Sequence, residues 1–294
     1  MNKSFLKKVI KEEFDKCVSC GKCKSVCDMY MYLREEEYSP RGLVQLAGAL
    51  VNGKIKGDSE ILKCFYTCFL CLKCSVNCPL EVNVVNLILL TRSLLFEFSD
   101  FRDNMKRLTG KRRKELNNIL DGNPTTEFLK FYHASINSGS YKKSSKTLLF
   151  PGCFPDTSLL TLVEKDKIVF NIEKNLDCCG YLKLAVGDLN DFEKIQTRNL
   201  KYFKQNKIQK IITSCPHCFY VLSTWFELNT IEIIFIGDED LSYCPVNAII
   251  SDNIKYKCTG LGGFLDFLNP QAFKLINKQN NFKPKCNLSK RINK

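Results

Sequence analysis

The sequence predicts an α+β protein in which an all-α domain over residues 1–98 precedes an α/β domain over residues 147–238. Two observations carry this prediction. Helix-like segments surround a repeated cysteine pattern in the first part of the chain, and short apolar segments alternate with helical ones in the second part. Residues 99–146 are charged and contain loop signals such as DGNPTT, so a partly helical linker is expected there. A fourth segment, 239–294, completes the chain.

Helix signals are clearest in the first domain. Ser39 and Pro40 have the residue types of an N-cap and a first-turn proline for a helix through RGLVQLAGAL. A second helix is predicted over DSEILKCFYTC, with Asp58 or Ser59 as its cap. The segment VNVVNLILLTRSLLFEF continues in helical style, so the cysteines lie among helices.

Strand signals begin after residue 146. The predicted strands are TLLF, KIVFNI, KIITS and IEIIFIG, and DLNDFEKIQTRNLKYFKQN is a predicted helix. Alternation of this kind favours a parallel sheet. Cysteines follow the ends of several of these strands, where open α/β sheets bind ligands.

Composition limits the function classes. There are 17 cysteines in 294 residues, an odd number, and the N-terminus MNKSFLKKVIKEEFDKC has no signal-peptide features, so reduced thiols in the cytoplasm are expected. The longest apolar run, VVNLILL, is far shorter than the roughly 20 residues of a membrane span. The net charge of +13 comes from lysines spread along the chain without a nucleic-acid-binding signature. We therefore expect no nucleic-acid partner, whereas an acidic partner protein or lipid headgroups remain open.

One cysteine pattern occurs twice. Each copy has the spacing C-x2-C-x2-C-x3-C, and the copies lie 51 residues apart, at Cys17, Cys20, Cys23 and Cys27 and at Cys68, Cys71, Cys74 and Cys78. In the bacterial ferredoxin pattern, the fourth cysteine of each run binds the other cluster. This predicts one 4Fe–4S cluster on Cys17, Cys20, Cys23 and Cys78 and another on Cys68, Cys71, Cys74 and Cys27.

Structural zinc is the competing interpretation of these runs. Zinc normally takes two separated cysteine pairs, and it would leave at least one thiol of each run unused. Asp28 follows Cys27 where the ferredoxin pattern has proline. Cys64 matches no ligand position and is expected to be a small buried hydrophobe. The duplicated spacing favours clusters over zinc.

A second group of cysteines comprises Cys153, Cys178, Cys179, Cys215 and Cys218. With the motifs FPGC, CCG, GD and IITSCPHC, and with SPRG and CPLEVNV upstream, the chain resembles the CCG-domain iron–sulfur oxidoreductase family. That family includes iron–sulfur subunits of glycolate oxidase, of D-lactate dehydrogenases and of anaerobic glycerol-3-phosphate dehydrogenase, and it also includes a component of heterodisulfide reductase. The resemblance extends over nearly the whole chain, and it implies a ferredoxin-like domain followed by a cysteine-rich CCG domain.

The resemblance also implies roles for the second group of cysteines. Together they are candidates to hold a third iron–sulfur cluster; zinc, or a set of thiols without metal, remains open. Gly180 supplies the backbone freedom that adjacent cysteines need, and His217 is expected to be a spacer or a hydrogen-bond donor to sulfur. Residues 239–294 resemble a degenerate second CCG repeat, with Thr259 in place of a cysteine. That repeat is expected to hold no cluster.

The expected function depends on the two predicted clusters and on the cysteine-rich domain that follows them. No G-x-G-x-x-G motif or P-loop is present, so the chain is not expected to bind a flavin or a nicotinamide itself. The resemblance implies an electron-transfer subunit of an oxidoreductase complex, which passes electrons from a flavoprotein dehydrogenase to a quinone or another acceptor. The donor substrate would be a 2-hydroxy acid such as glycolate or lactate. The alternative is a heterodisulfide reductase-like subunit that reduces a disulfide at the CCG cluster. Some members of the family are linked to quinones, so peripheral association of this protein with the inner face of the cell membrane remains open.

Overall fold

The computed structural model describes residues 2–68, 70–96, 124–152, 158–173, 176 and 178–236. These residues fall into two compact units. The first unit contains residues 2–68, 70–96 and Leu182–Asn190 of the described chain, and the second contains the remainder.

The first unit is helical over its described residues. Its helices are α1 (Lys3–Asp15), α2 (Asp28–Leu33), α3 (Pro40–Val51), α4 (Ser59–Thr67), α5 (Lys73–Val76) and α6 (Val84–Leu95). Helices α1, α3 and α6 pack against one another, and α4 packs on α6. Ile10, Ala47 and Leu87 are fully buried between them. Burial of such side chains, worth about 1.5–3 kcal/mol for each large one, holds the helices around the cysteine loops.

Local capping sets where these helices begin. The Ser39 hydroxyl accepts a hydrogen bond from the Gly42 N–H at 2.9 Å, and Pro40 occupies the first turn of α3, which confirms the predicted start. The cap of α4 is Asp58, whose carboxylate accepts from the Ile61 N–H at 2.9 Å. Asp58 has extended backbone, which places its side chain over the free amides of the first turn.

The second unit combines a parallel sheet with helices. The elements after α6 in the chain are α7 (Pro124–Ile136), β1 (Thr147–Leu149), α8 (Ser158–Lys165), α9 (Tyr181–Val186), α10 (Leu189–Gln205), β2 (Lys210–Thr213), α11 (Pro216–Thr224) and β3 (Glu232–Phe235), and all except α9 and the start of α10 lie in this unit. Only Tyr181 of α9 belongs to this unit, and α10 joins it from Asp191 onward. The strand order is β1-β2-β3, with both pairs parallel. The predicted parallel α/β arrangement is therefore present in the described residues.

The core of the second unit lies on this sheet. Its buried members are Phe131, Leu149, Leu159, Leu160, Val163, Phe170, Ile172 and Ile212. Phe131 comes from α7, so the helix within the predicted linker packs on this core. Ile211 and Ile212 of β2 are fully buried, because β2 is the central strand.

The predicted strand KIVFNI does not form a continuous strand. Phe170 bridges to Tyr141, whereas the next residue, Asn171, bridges to Leu148. The Asn171 N–H donates to the Thr147 carbonyl at 2.7 Å, and the Leu149 N–H donates to the Asn171 carbonyl at 2.8 Å. Successive residues thus pair with two different segments, and no ladder develops.

Two sequence predictions concern the C-terminal segment and the membrane. The degenerate second CCG repeat, 239–294, lies outside the described residues. Among the residues that the structure describes, no helix has the length and apolar character needed to cross a bilayer.

Candidate metal centres

The first cavity is lined by Cys17, Cys20, Cys23 and Cys78. Cys17 follows the end of α1, where its N–H donates to the Phe14 carbonyl at 2.9 Å. Cys23 lies in a short 3-10 turn over Lys22–Lys24, and Cys78 follows α5. The structure therefore brings three sulfurs of the first run together with the last sulfur of the second run.

The second cavity is lined by Cys27, Cys68, Cys71 and Cys74. Cys68 ends α4, and Cys74 lies in α5. Cys27 caps α2 with its sulfur, which accepts from the Tyr30 N–H at 3.5 Å. The two cavities are of similar size. With the solvent at its mouth included, the second cavity has a volume of about 420 Å³ and the first a volume of about 400 Å³.

The two cysteine loops have the same backbone shape. Ser19 and Gly21 have positive φ on either side of Cys20, and Leu70 and Leu72 have positive φ on either side of Cys71. These positions correspond at the 51-residue offset. A leucine in the left-handed region costs roughly 1–2 kcal/mol, yet Leu70 and Leu72 are almost fully buried. Their packing offsets that cost and holds the loop around the sulfurs.

Burial changes the chemistry of these thiols. Burial raises the pKa of Cys27 and of Cys71 to about 12, and it raises the pKa of Cys23 to about 11. Buried neutral thiols are therefore the resting state without metal, and a cationic metal centre would replace their protons. Among the described residues, no three His, Cys, Asp or Glu side chains are grouped to hold a single metal ion. Four thiols around a roomy cavity fit an iron–sulfur cluster.

The CCG site brings four described cysteines together. Cys179 makes side-chain hydrogen bonds with Cys178 and Cys218, and Cys218 also bonds to Cys215. Cys178 is exposed, whereas Cys179 and Cys218 are buried. Cys153 lies outside the described residues. The residue before it, Gly152, has a φ of +82°, and an added Cβ there would stand 2.9 Å from the Cβ of Cys215 and 3.5 Å from the Cys218 sulfur.

Strand and helix ends position these sulfurs. Cys215 follows β2 and begins α11, and its N–H donates to the Thr213 hydroxyl at 3.1 Å. The Gly180 N–H donates to the Cys178 sulfur at 3.2 Å. Gly180 has a φ of +83°, and an added Cβ would stand 2.8 Å from the ring of Phe192. The glycine after the cysteine pair is thus required by both conformation and space.

The cysteines of the CCG site differ in the direction of their pKa shifts. A hydrogen bond from Cys218, followed by one from His217, holds the pKa of Cys215 well below its ordinary value. A hydrogen bond with Cys178, together with burial, raises the pKa of Cys179, and hydrogen bonds with Cys179 and Cys215, together with burial, raise the pKa of Cys218. His217 stacks on Tyr181 with ring centroids 4.2 Å apart.

Comparison with known families agrees with this geometry. Residues 13–82 match the 4Fe-4S dicluster domain, and residues 147–223 match the cysteine-rich domain named CCG. The chain therefore contains a 4Fe-4S dicluster domain followed by a CCG cysteine-rich domain. The resemblance that the sequence motifs indicated is confirmed at the level of these two domains, and all the candidate ligand cysteines lie within the two matched ranges.

Three curated relatives are similar over most of this chain. An uncharacterized iron–sulfur protein of Methanocaldococcus jannaschii is 26% identical over 76% of this chain and 46% of its own length. A probable glycolate oxidase iron–sulfur subunit of Bacillus subtilis is 21% identical over 76% of this chain and 62% of its own. One subunit of a fumarate reductase (CoM/CoB) from Methanothermobacter marburgensis is 23% identical over 79% of this chain and 49% of its own length. This chain thus spans less than two thirds of each relative. No solved structure matches it.

Sequence reasoning missed Arg92. Its side chain is fully buried, and its guanidinium donates to the carbonyls of Phe65, Cys68 and Ala185, at 2.9 Å for Cys68 and 2.8 Å for Ala185. It also lies over the ring of Tyr66, 4.7 Å from the centroid. All of these residues belong to the first unit. An arginine inside the apolar stretch LILLTRSLL was the available signal.

Proposed function

We propose that this protein is an iron–sulfur electron-transfer subunit of an oxidoreductase complex, with one 4Fe–4S cluster in each of the two cysteine cavities. One observation carries the proposal: each cavity is lined by four cysteines, three from one run and the last from the other. Such clusters, when bound, take up and release single electrons. The chain supplies the thiolates, fixes their loops by packing, and limits the access of water to the sulfurs.

The donor and the acceptor are proposed from resemblance. A probable glycolate oxidase iron–sulfur subunit is among the relatives, which supports a flavoprotein dehydrogenase that oxidises a 2-hydroxy acid as the donor. A quinone is the proposed acceptor, and it would bring the complex to the inner face of the cell membrane from the cytoplasm. This chain would act there as a subunit of the enzyme, without binding the organic substrate itself.

The CCG site is proposed to hold a third centre on Cys178, Cys179, Cys215, Cys218 and Cys153. The sulfur contacts among the first four and the position of Gly152 beside them support a shared ligand. The chemistry of a cysteine-only site fits an iron–sulfur centre and also fits zinc.

A second function, disulfide reduction at the CCG site, has one observation in its favour. Cys178 is exposed while Cys179 and Cys218 are buried, so one edge of the site is open to a substrate. One relative belongs to a fumarate reductase (CoM/CoB). This function predicts two thiols formed for each disulfide consumed with reduced protein, whereas the first function predicts reduction of the clusters by a flavoprotein that co-purifies with the chain.

Metal content tests the proposal. The protein is purified without oxygen, and its iron and acid-labile sulfide are determined. EPR spectra are then recorded for the oxidised and reduced forms. Two clusters require about eight iron atoms, and a third four-iron centre raises the value to about twelve. Cys71→Ser should remove the iron of one cluster. Cys64→Ser is the matched control, because Cys64 is a buried cysteine that lines neither cavity.

The outcomes separate the alternatives. Loss of about four iron atoms in Cys71→Ser with full iron in Cys64→Ser supports the ligand assignment. Stoichiometric zinc in place of iron would overturn it. Full iron in Cys71→Ser would equally contradict the assignment of the second cavity. A value near eight iron atoms, with zinc bound only when Cys179 and Cys215 are present, would make the CCG site a zinc site.

A further inference from the structure

An ion pair lies in the wall of the second cavity. The Lys73 ammonium is 2.7 Å from a carboxylate oxygen of Asp28, and the two side chains are only 19% and 12% exposed. Both residues line this cavity. Lys73 stands between Cys71 and Cys74, and Asp28 directly follows Cys27. The pair therefore joins the two runs at the point where they share a cavity.

The first cavity lacks an equivalent pair among the described residues that line it. At the 51-residue offset, Lys22 corresponds to Lys73, and Pro79 corresponds to Asp28. Lys22 and Pro79 do line the first cavity, but Lys22 is exposed and proline carries no charge. Arg41 also lines it, and its partner Glu36 lies outside the lining. Asp28, which departs from the ferredoxin pattern, is thus the residue that breaks the symmetry between the two repeats.

Both charges lie beside the sulfurs of the second cavity. The Lys73 backbone N–H donates to the Cys71 sulfur, and Asp28 and Lys73 line the same cavity as that sulfur. An electron added at this cavity would be attracted by the Lys73 ammonium and repelled by the Asp28 carboxylate.

We propose that the charges of Asp28 and Lys73, held together as an ion pair, tune the reduction potential of the cluster in the second cavity in opposite directions. The inference rests on the proposed function. Reduction adds one negative charge to a cluster, so a nearby ammonium favours the reduced form and a nearby carboxylate disfavours it. Each partner also fixes the other: Asp28 keeps Lys73 at the wall, and the pair holds the start of α2, where Cys27 lies.

Redox titrations of single variants test this assignment. Asp28→Asn leaves the ammonium alone and should raise the midpoint potential of the second-cavity cluster. Lys73→Met leaves the carboxylate alone and should lower it. The double variant should return close to the wild-type value, and Lys73→Arg, which keeps the charge, should stay near it. The titrations are followed by EPR on anaerobic full-length protein, with Cys71→Ser to identify the signal of the second cavity.

Lys22→Met is the matched control, at the equivalent place in the other repeat. It should leave the potential of the second-cavity cluster unchanged. Shifts of the same sign in Asp28→Asn and Lys73→Met would mean that the pair acts only by holding the loops, and would overturn the inference. Shifts in Lys73→Arg as large as in Lys73→Met would do the same. A wild-type protein without a second cluster signal would instead contradict the proposed function, before any variant is compared.

Discussion

At the residue scale, Arg92 shows how a single charged side chain can organise a cysteine loop. Its guanidinium donates to two carbonyls at the end of α4, those of Phe65 and Cys68, and to the Ala185 carbonyl of α9, so it connects α6 with two other segments of the first unit. Burying a guanidinium is costly unless its donors are satisfied. Arg presents five donors in a planar fork, and lysine could replace only part of this geometry.

We therefore predict that Arg92→Met destabilises the protein by about 3 kcal/mol, because carbonyls of the first unit lose their buried donors at about 1–3 kcal/mol each. Arg41→Met is the control. Arg41 is partly exposed and paired with Glu36 at 2.7 Å, and such pairs contribute below about 1 kcal/mol. The measurement is anaerobic urea unfolding. Equal losses in both variants would contradict the role given to Arg92.

At the element scale, α3 depends on close approach at its glycines. A Cβ added at Gly48 would stand 2.3 Å from the ring of Phe14 in α1, and one added at Gly42 would stand 1.9 Å from the Glu36 carbonyl oxygen. Alanine normally favours a helix over glycine by about 1 kcal/mol. In α3 the packing outweighs this preference, because the neighbouring atoms occupy the space that a methyl group needs.

Gly48→Ala is accordingly expected to lower the free energy of unfolding by about 1–3 kcal/mol through overpacking. Gly139→Ala is the matched control, since an added Cβ there meets nothing within 4 Å and the residue lacks a positive φ. Thermal unfolding followed by circular dichroism compares the two. A stabilised Gly48→Ala would show that α1 moves aside without cost and would contradict this account of the interface.

The elements also show which structural predictions the sequence supports. The starts of α3 and α4 depend on caps within three residues of the helix, and such local signals were sufficient to predict them. KIVFNI was wrong as a strand because its pairing is shared between Tyr141 and Leu148, far away in the chain. Apolar β-branched composition indicates an extended segment, but it does not specify which partner provides the hydrogen bonds.

At the scale of the whole molecule, the sulfur sites differ in exposure. Cys20 of the first cavity is exposed, and Val18 beside it is 69% exposed. In the second cavity, Cys74 is buried, and Cys27, Cys68 and Cys71 are half-buried. Oxidants and chelators reach metal centres through exposed edges, so the two proposed clusters should differ in chemical stability.

We predict two phases of iron loss when the protein is treated with ferricyanide and a chelator. The cluster of the first cavity should lose its iron in the faster phase, because the first cavity is the more open. The faster phase should therefore be absent in Cys20→Ser, and the slower phase should be absent in Cys71→Ser. Iron release is followed by absorbance of the chelated metal. A single phase in the wild type, or a faster loss from the second cavity, would contradict the order of exposure.

The amino-acid sequence by itself determined the grouping of cysteines into two runs and a CCG set, because ligand spacing within a loop is a property of the covalent chain. It also determined the helix caps and the parallel alternation of strands and helices. The structure groups the eight sulfurs of the two runs as the spacing predicted, and their role as ligands stays a prediction.

Only the tertiary structure decided which charges lie beside these sulfurs. Lys73 and Asp28 are 45 residues apart, and Arg92 reaches the Ala185 carbonyl 93 residues away. No local pattern specifies such pairs, since they form when packed helices bring distant segments together. Burial then decides their effect, because charges removed from water act on a nearby sulfur more strongly than exposed ones.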